Sequence, residues 1–234
     1  NANDVSGNGN DGALNGATLT TDRFGSPDSA YSFDGIDDFL EVPTTASIEL
    51  ENSNLSISMW VKLTGSNTQT NDLIDKMVRP SSSSTFASSG FILHTLPESY
   101  GAEAGITRFC VANSNIGGRS CFDSTTNIVD GQYHHVAVTK SALDDVKIYI
   151  DGQDDGAVLD HTHHTALGIP LSMLIGKRHL DSNFVNGLLD DVYVYNRVLS
   201  SAEIATLYSA VPEPSTALLL GIGMMGLGMR RRRR

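Results

Sequence analysis

Basic residues are scarce in this chain. Lys and Arg number 16 against 27 Asp and Glu, and five of those 16 form one terminal run at residues 230–234. Up to Val211 there are 11 basic and 26 acidic residues, a formal charge of −15. Such a field repels a phosphate backbone, which excludes nucleic acid as a partner. It leaves a solvated acidic surface or cation binding as the two readings of the carboxylates. Tryptophan occurs once. No internal repeat and no second apolar pattern interrupts the chain, so one domain is expected ahead of its tail. There is no Gly-x-Ser-x-Gly elbow, and a nucleophile raised on a strand-to-helix turn is excluded with it. The start lacks both Met and an apolar segment, since Asn1, Ala2, Asn3 and Asp4 are already polar. An exported chain is made with a signal peptide, so the start is expected to be trimmed or truncated. Of the histidines, His161 and His163 could share a strand face, but no cysteine lies at ligand spacing and only Asp160 stands beside them. A polar loop is expected there, and a packing role for His134 and His135.

What is abundant is Gly, Ser, Asn and Thr, the composition of short strands joined by turns. Apolar and polar residues alternate at 55–61, 136–139, 146–150 and 191–195, the period of two that marks half-buried strands. Asp34-Gly35, Asp130-Gly131, Asp151-Gly152 and Asp155-Gly156 supply turns between them. One segment reads as helix. Ser200 followed by Glu203 is a capping box, with Leu199 and Ile204 placed for a hydrophobic staple, and the helix runs to about Tyr208. Cys110 and Cys121 flank a loop rich in Asn and Gly that reads as the end of a hairpin, so the two face one another across it. They are expected to pair as a disulfide in an oxidising compartment, the alternative being two buried thiols.

At Val211 the pattern changes abruptly. Val211, Pro212, Glu213 and Pro214 form an extended, accessible segment that can continue neither helix nor strand. An apolar run at 216–229 follows, then the arginines. As a helix the apolar run reaches only about 20 Å against a hydrocarbon core of roughly 30 Å, a gap that snorkelling arginines would close while fixing that end on the cytoplasmic side. This segment closely resembles the PEP-CTERM tail of exported proteins in Gram-negative bacteria that make exopolysaccharide. The resemblance implies that residues 216–229 sit in the inner membrane. It also implies that an exosortase recognises Val211, Pro212, Glu213 and Pro214, cuts near them, and delivers residues 1–208 to the cell surface or extracellular matrix.

The remaining motifs follow in a familiar order: residues 4–12, 31–42 and 55–61, then 132–139, 147–152 and 186–197. Together they resemble the laminin-G-like, concanavalin A-like jelly roll of bacterial surface proteins, with Tyr133 where the family usually carries Trp before its His pair. The resemblance implies an all-β sandwich over 1–208 with one short C-terminal helix, and a tail segment at 209–234. Hydrolases on this fold carry Glu-x-Asp-x-x-Glu along one strand, so that two carboxylates flank the sugar. The nearest stretch here keeps Asp38 and Glu41 but has Ile36 at the nucleophile position, which removes the retaining mechanism.

One further pattern concerns metals. Asp4, Ser6 and Asn8, followed by Gly9, repeat the front half of a calcium loop, but Asn15 stands where a bidentate Glu would be, so an EF-hand is excluded. Asp190 shares strand parity with Val192 and Val194, which points it inward, where a charge must find a cation or several donors. The expectation is a structural calcium ion (Ca²⁺) held by some of Asp4, Asn8, Asp38 and Asp190. The alternative is that Asp190 caps backbone N–H groups and the first segment is only a turn. The functional expectation is a non-catalytic surface module that binds a glycan or extracellular polysaccharide, with Tyr100, Tyr193 and Tyr195 as candidate stacking residues. An adhesive matrix protein and a glycoside hydrolase are the alternatives.

Overall fold

A computed structural model describes residues 2–50, 53–64, 69–78, 89–112, 119–142, 145–156, 158–159, 171–179 and 183–210. In chain order the strands are β1 (Ala13–Asn15), β2 (Thr18–Thr20), β3 (Ala30–Asp34), β4 (Phe39–Val42), β5 (Leu55–Leu63), β6 (Asp72–Val78), β7 (Ser89–Thr95) and β8 (Ile106–Ala112). They continue as β9 (Arg119–Asn127), β10 (Tyr133–Lys140), β11 (Val146–Ile150), β12 (Gln153–Asp154), β13 (Val158–Leu159), β14 (Met173–Ile175) and β15 (Asn186–Tyr195), followed by the helix α1 (Ser201–Ser209). They form two antiparallel sheets, an eight-stranded one in the order β1-β4-β14-β6-β7-β8-β9-β13 and a seven-stranded one in the order β12-β11-β10-β5-β15-β3-β2.

The alternation predicted at 55–61 shows how the layers form. Leu55, Ile57, Met59, Val61 and Leu63 all enter the core between the sheets, with Val136 and Val138 from β10 and Ile148 and Ile150 from β11 beside them. Phe91 and Leu93 of β7 and Phe109 of β8 meet them from the other sheet. A strand that sends one parity inward sends the other outward. Ser56, Ser58 and Trp60 therefore line the outer face of the seven-stranded sheet.

That outer face is partly roofed by α1. Its N-terminus is the predicted capping box: the Ser200 hydroxyl accepts from Glu203 N–H, and the Glu203 carboxylate accepts from Ser200 N–H. The staple residues Leu199 and Ile204 are both buried and pack on Ala137 of β10 and Tyr149 of β11. On the eight-stranded sheet, Cys110 and Cys121 are register partners in β8 and β9, with Cα atoms 4.1 Å apart, and they form the expected disulfide.

Candidate functional site

The outer face of the seven-stranded sheet gathers aromatic and charged side chains around Trp60. On one side the Tyr208 ring from α1 lies 5.6 Å from the Trp60 ring and 20° from parallel to it. Gly152 makes room for this stack. It sits at φ +75° in the Asp151-Gly152 turn between β11 and β12, and a Cβ there would lie 2.9 Å from the Tyr208 Cβ. The Arg23 guanidinium stacks 4.5 Å from the Trp60 ring centre and 4.2 Å from that of Phe24. The loop carrying Arg23 and Phe24 is shaped by Asp22, whose Oδ1 accepts from the N–H groups of Phe24 and Ser26, each at 2.8 Å.

Arg23 also explains Asp190. Its Nη1 lies 2.6 Å from Asp190 Oδ2 and 2.9 Å from Asp191 Oδ2. The expectation that Asp190 points inward is corrected here. Asp190 pairs in register with outward-facing Trp60, the register slips between Asp190 and Tyr193, and Asp191 takes φ +48°. This β-bulge reverses the parity, so Asp190 lies on the outer face with Tyr193 and Tyr195 while Val192 and Val194 turn toward the core. The carboxylate is nonetheless buried, beneath Arg23, and burial raises its pKa together with the neighbouring Asp191 charge, against the pull of Arg23. Its cation is thus a guanidinium.

Two hollows flank this pair. A cleft of about 360 Å³ is walled by Asp22, Arg23, Phe24, Ser26, Asp190 and Asp191. A smaller cavity of about 40 Å³ lies beside it, lined by Ser58, Trp60, His135, Tyr193 and Leu207; Asp191 and Ala210 line both. His135 is 1% exposed, with Nε2 2.9 Å from Ser58 Oγ. Its Nδ1 has no hydrogen-bond partner among the described residues. Burial depresses the His135 pKa to about 4, which leaves a neutral imidazole at pH 7. Among the described residues four aromatic side chains of Phe and Tyr are exposed: Phe24 lines the cleft, Tyr193 lines the cavity, Tyr208 stacks on Trp60, and Tyr100 is the fourth.

The structure distributes the residues expected to hold calcium rather than assembling them. Asp4 is used by its own segment, accepting from Ser6 N–H and Ser6 Oγ at 2.8 Å and from Asn10 N–H at 2.9 Å. The Asn10 N–H contributes most to holding its pKa near 2. Asn8 turns to the Ser6 hydroxyl. Asp38 alone of the four joins a carboxylate cluster: Asp34, Asp37 and Asp38 have ligand oxygens within 4.8 Å of one another, the one such group of three among the described residues. Asp38 Oδ2 accepts from Asp34 N–H, and burial raises its pKa, with its two acidic neighbours adding to the effect. Three hard oxygens of this kind suit calcium better than a transition metal. As for the hydrolase motif, Ile36 lies in the turn after β3, Asp38 just before β4 and Glu41 within β4, so the three positions do not line one strand. Of the predicted stacking residues, Tyr193 borders the site, Tyr195 stands beside it at 6.1 Å between ring centres, and Tyr100 lies under Arg108 elsewhere. Val211, Pro212, Glu213, Pro214 and the apolar run at 216–229 lie outside the described residues, as do His161 and His163.

A family model described as the concanavalin A-like lectin/glucanases superfamily, of laminin G type, matches residues 34–205. The chain belongs to this superfamily. A second model, the PEP-CTERM protein-sorting motif, matches residues 210–233, so the lectin-type domain carries the sorting signal of an exported, exosortase-processed protein. No curated protein matches the chain. Among solved structures, the binding domain of Paraclostridial Mosquitocidal Protein 1 aligns with a TM-score of 0.68 at 16% identity, over 88% of this chain and 48% of that one. The receptor binding domain of botulinum neurotoxin C/D mosaic serotype gives 0.63 at 15%, over 87% and 47%. The binding domain of botulinum neurotoxin DC in complex with SialylT gives 0.62 at 14%, again over 87% and 47%. The superfamily member described here spans about half the length of these chains, and at such identities the likeness establishes the fold. Among the described residues no helix is long and apolar enough to cross a membrane.

Proposed function

We propose that this protein is a non-catalytic surface module that binds carbohydrate in the cleft beside Arg23, Phe24 and Asp191. The observation that carries this reading is a cleft furnished with carboxylates, a guanidinium and serines and walled by the exposed ring of Phe24, with exposed Tyr193 lining the cavity beside it. Apolar ring faces stack on sugar C–H groups, while polar neighbours take the hydroxyls. The neurotoxin binding domain solved with SialylT lends support by analogy of fold. The mature module corresponds to residues 1–208. An exosortase acts at residues 211–214 of a precursor held in the inner membrane of a Gram-negative bacterium by residues 216–229, and processing delivers the module to the cell surface or matrix.

A glycan array probed with the purified chain tests the binding reading. Selective retention of a saccharide class, lost when Phe24→Ala and Tyr193→Ala are combined, is the expected result. An array without saccharide selectivity would favour an adhesive protein that binds other proteins. Calcium belongs to the same reading, at Asp34, Asp37 and Asp38, as a structural ion remote from the cleft chemistry. A higher melting temperature in calcium than in EDTA supports it, and identical melts count against it.

A further inference from the structure

The chain leaves the domain at the edge of its own cleft. Ala210 caps α1, its N–H donating to Leu207 O, and it takes the extended angles φ −62° and ψ 121°. The same residue lines both the cleft and the small cavity. Consecutive Cα atoms lie about 3.8 Å apart, so Val211 starts beside both hollows, one residue into the match to the sorting motif at 210–233. Next come Pro212, Glu213, Pro214 and Ser215, ahead of the apolar run. The two prolines fix φ and lack a backbone N–H, which favours polyproline II. With three residues per turn in that helix, Val211 and Pro214 share one face and Glu213 lies off it. Such segments dock on aromatic-lined grooves because little of their conformational freedom is left to lose. The rings on offer beside Ala210 are Phe24, 42% exposed in the cleft wall, and Tyr193, 38% exposed in the lining of the cavity. Asp22, Asp190 and Asp191 make the cleft acidic and favour an outward-facing Glu213.

We propose that in the unprocessed chain residues 211–214 occupy this cleft, with Val211 and Pro214 against Phe24 and Tyr193, and exclude carbohydrate until the sorting enzyme cuts. The inference rests on the carbohydrate reading of the cleft. Attachment at Ala210 makes the docking intramolecular, at an effective concentration in the millimolar range, so an intrinsic dissociation constant of about 1 mM is enough to keep much of the cleft filled. A saccharide that needs the open cleft is weakened by the fraction of time the cleft is open. A cut within 211–214 separates Val211 from Pro214 and breaks up the docking face. Processing thus frees the module from the membrane and opens its cleft in one event.

The test uses the full chain in detergent micelles, wild type against the double variant Val211→Asp with Pro214→Asp. The variant puts carboxylates on the docking face, opposite an acidic cleft. Both chains carry the same micelle, so its bulk does not distinguish them. Nuclear Overhauser contacts between the Val211 methyl groups and the ring protons of Phe24 or Tyr193 are expected in the wild type. On a glycan array the double variant is expected to bind its retained saccharides about fivefold more tightly than the wild type. Val211 methyl groups without ring contacts overturn this inference alone, as does equal retention by the two chains. An array that retains nothing even with the double variant, whose cleft is open, overturns the carbohydrate reading beneath it.

Discussion

Arg23 and Asp190 show how one buried ion pair organises a face. Both side chains are more than nine-tenths buried, so removing the cation strands a carboxylate in a poor solvent. Arg23→Met is expected to cost about 3 kcal/mol of stability in urea unfolding, and Asp190→Asn in the same background to recover part of it. A loss below about 1 kcal/mol would mean that water reaches Asp190. His135 gives a second residue-scale prediction. The unfolded imidazole takes its proton near 6.5 and the folded one only near 4. The folded-state pKa is depressed, so the contribution is complete above pH 6.5 and is lost as pH falls from there to about 4, about 3 kcal/mol in all. The stability advantage of the wild type over His135→Gln should shrink by that amount across the window. An NMR titration placing the ring near 6.5 would contradict the buried, uncharged state. At this scale the sequence was only half legible. Ser56, Ser58 and Trp60 alternate with Leu55, Ile57, Met59 and Val61, so the outward position of the single tryptophan could be read directly. Arg23 and Phe24 carry no periodic signal, and only the folded loop brings them over Trp60.

The β-bulge in β15 separates the legible from the illegible among elements. Strict alternation places Asp190 with Val192 and Val194, and it fails because Asp191 spends one residue at positive φ. Two adjacent aspartates are compatible with such a kink without announcing it. Where no extra residue intervenes, as in β5, β10 and β11, alternation assigns the faces correctly. The helix was legible end to end because its signals are local: cap, box and staple lie within six residues. Ser200→Ala is expected to destabilise the domain by about 1 kcal/mol, and α1 carries Tyr208, so the same change should loosen the stack on Trp60. A thermal melt with an unaltered midpoint would show that packing of Leu199 and Ile204 alone fixes the helix. The hairpin of β8 and β9 is closed by Cys110 and Cys121 over a separation of 11 residues. In the chain-entropy account that closure stabilises by about 3 kcal/mol, so reduction should lower the melting temperature by several degrees. The same cross-link is what an exported protein can keep and a cytosolic one cannot.

For the whole molecule, the sandwich, its acidity and the sorting motif point the same way. A lectin-type domain ends in α1, α1 supplies Leu207 to the small cavity, and the sorting motif begins at residue 210, where the helix has just ended. The fold was legible because strand alternation and motif order survive wide sequence change. The binding face was less so, because it is assembled from β5, β10, β15, α1 and the loop before β3, which are distant in sequence. The calcium set was not legible for the same reason: Asp4 and Asn8 bond within their own segment, Asp190 pairs with Arg23, and Asp38 joins Asp34 and Asp37. Trp60 gives direct access to the central claim, because the only tryptophan in the chain lies at the proposed site. The decisive measurement is its fluorescence during titration with a saccharide retained on the array. The account predicts a saturable change in emission with the dissociation constant found by direct binding, absent in Ala210→Leu. Full binding with no response from Trp60, or an equal response in Ala210→Leu, would place the ligand elsewhere on the molecule and contradict it.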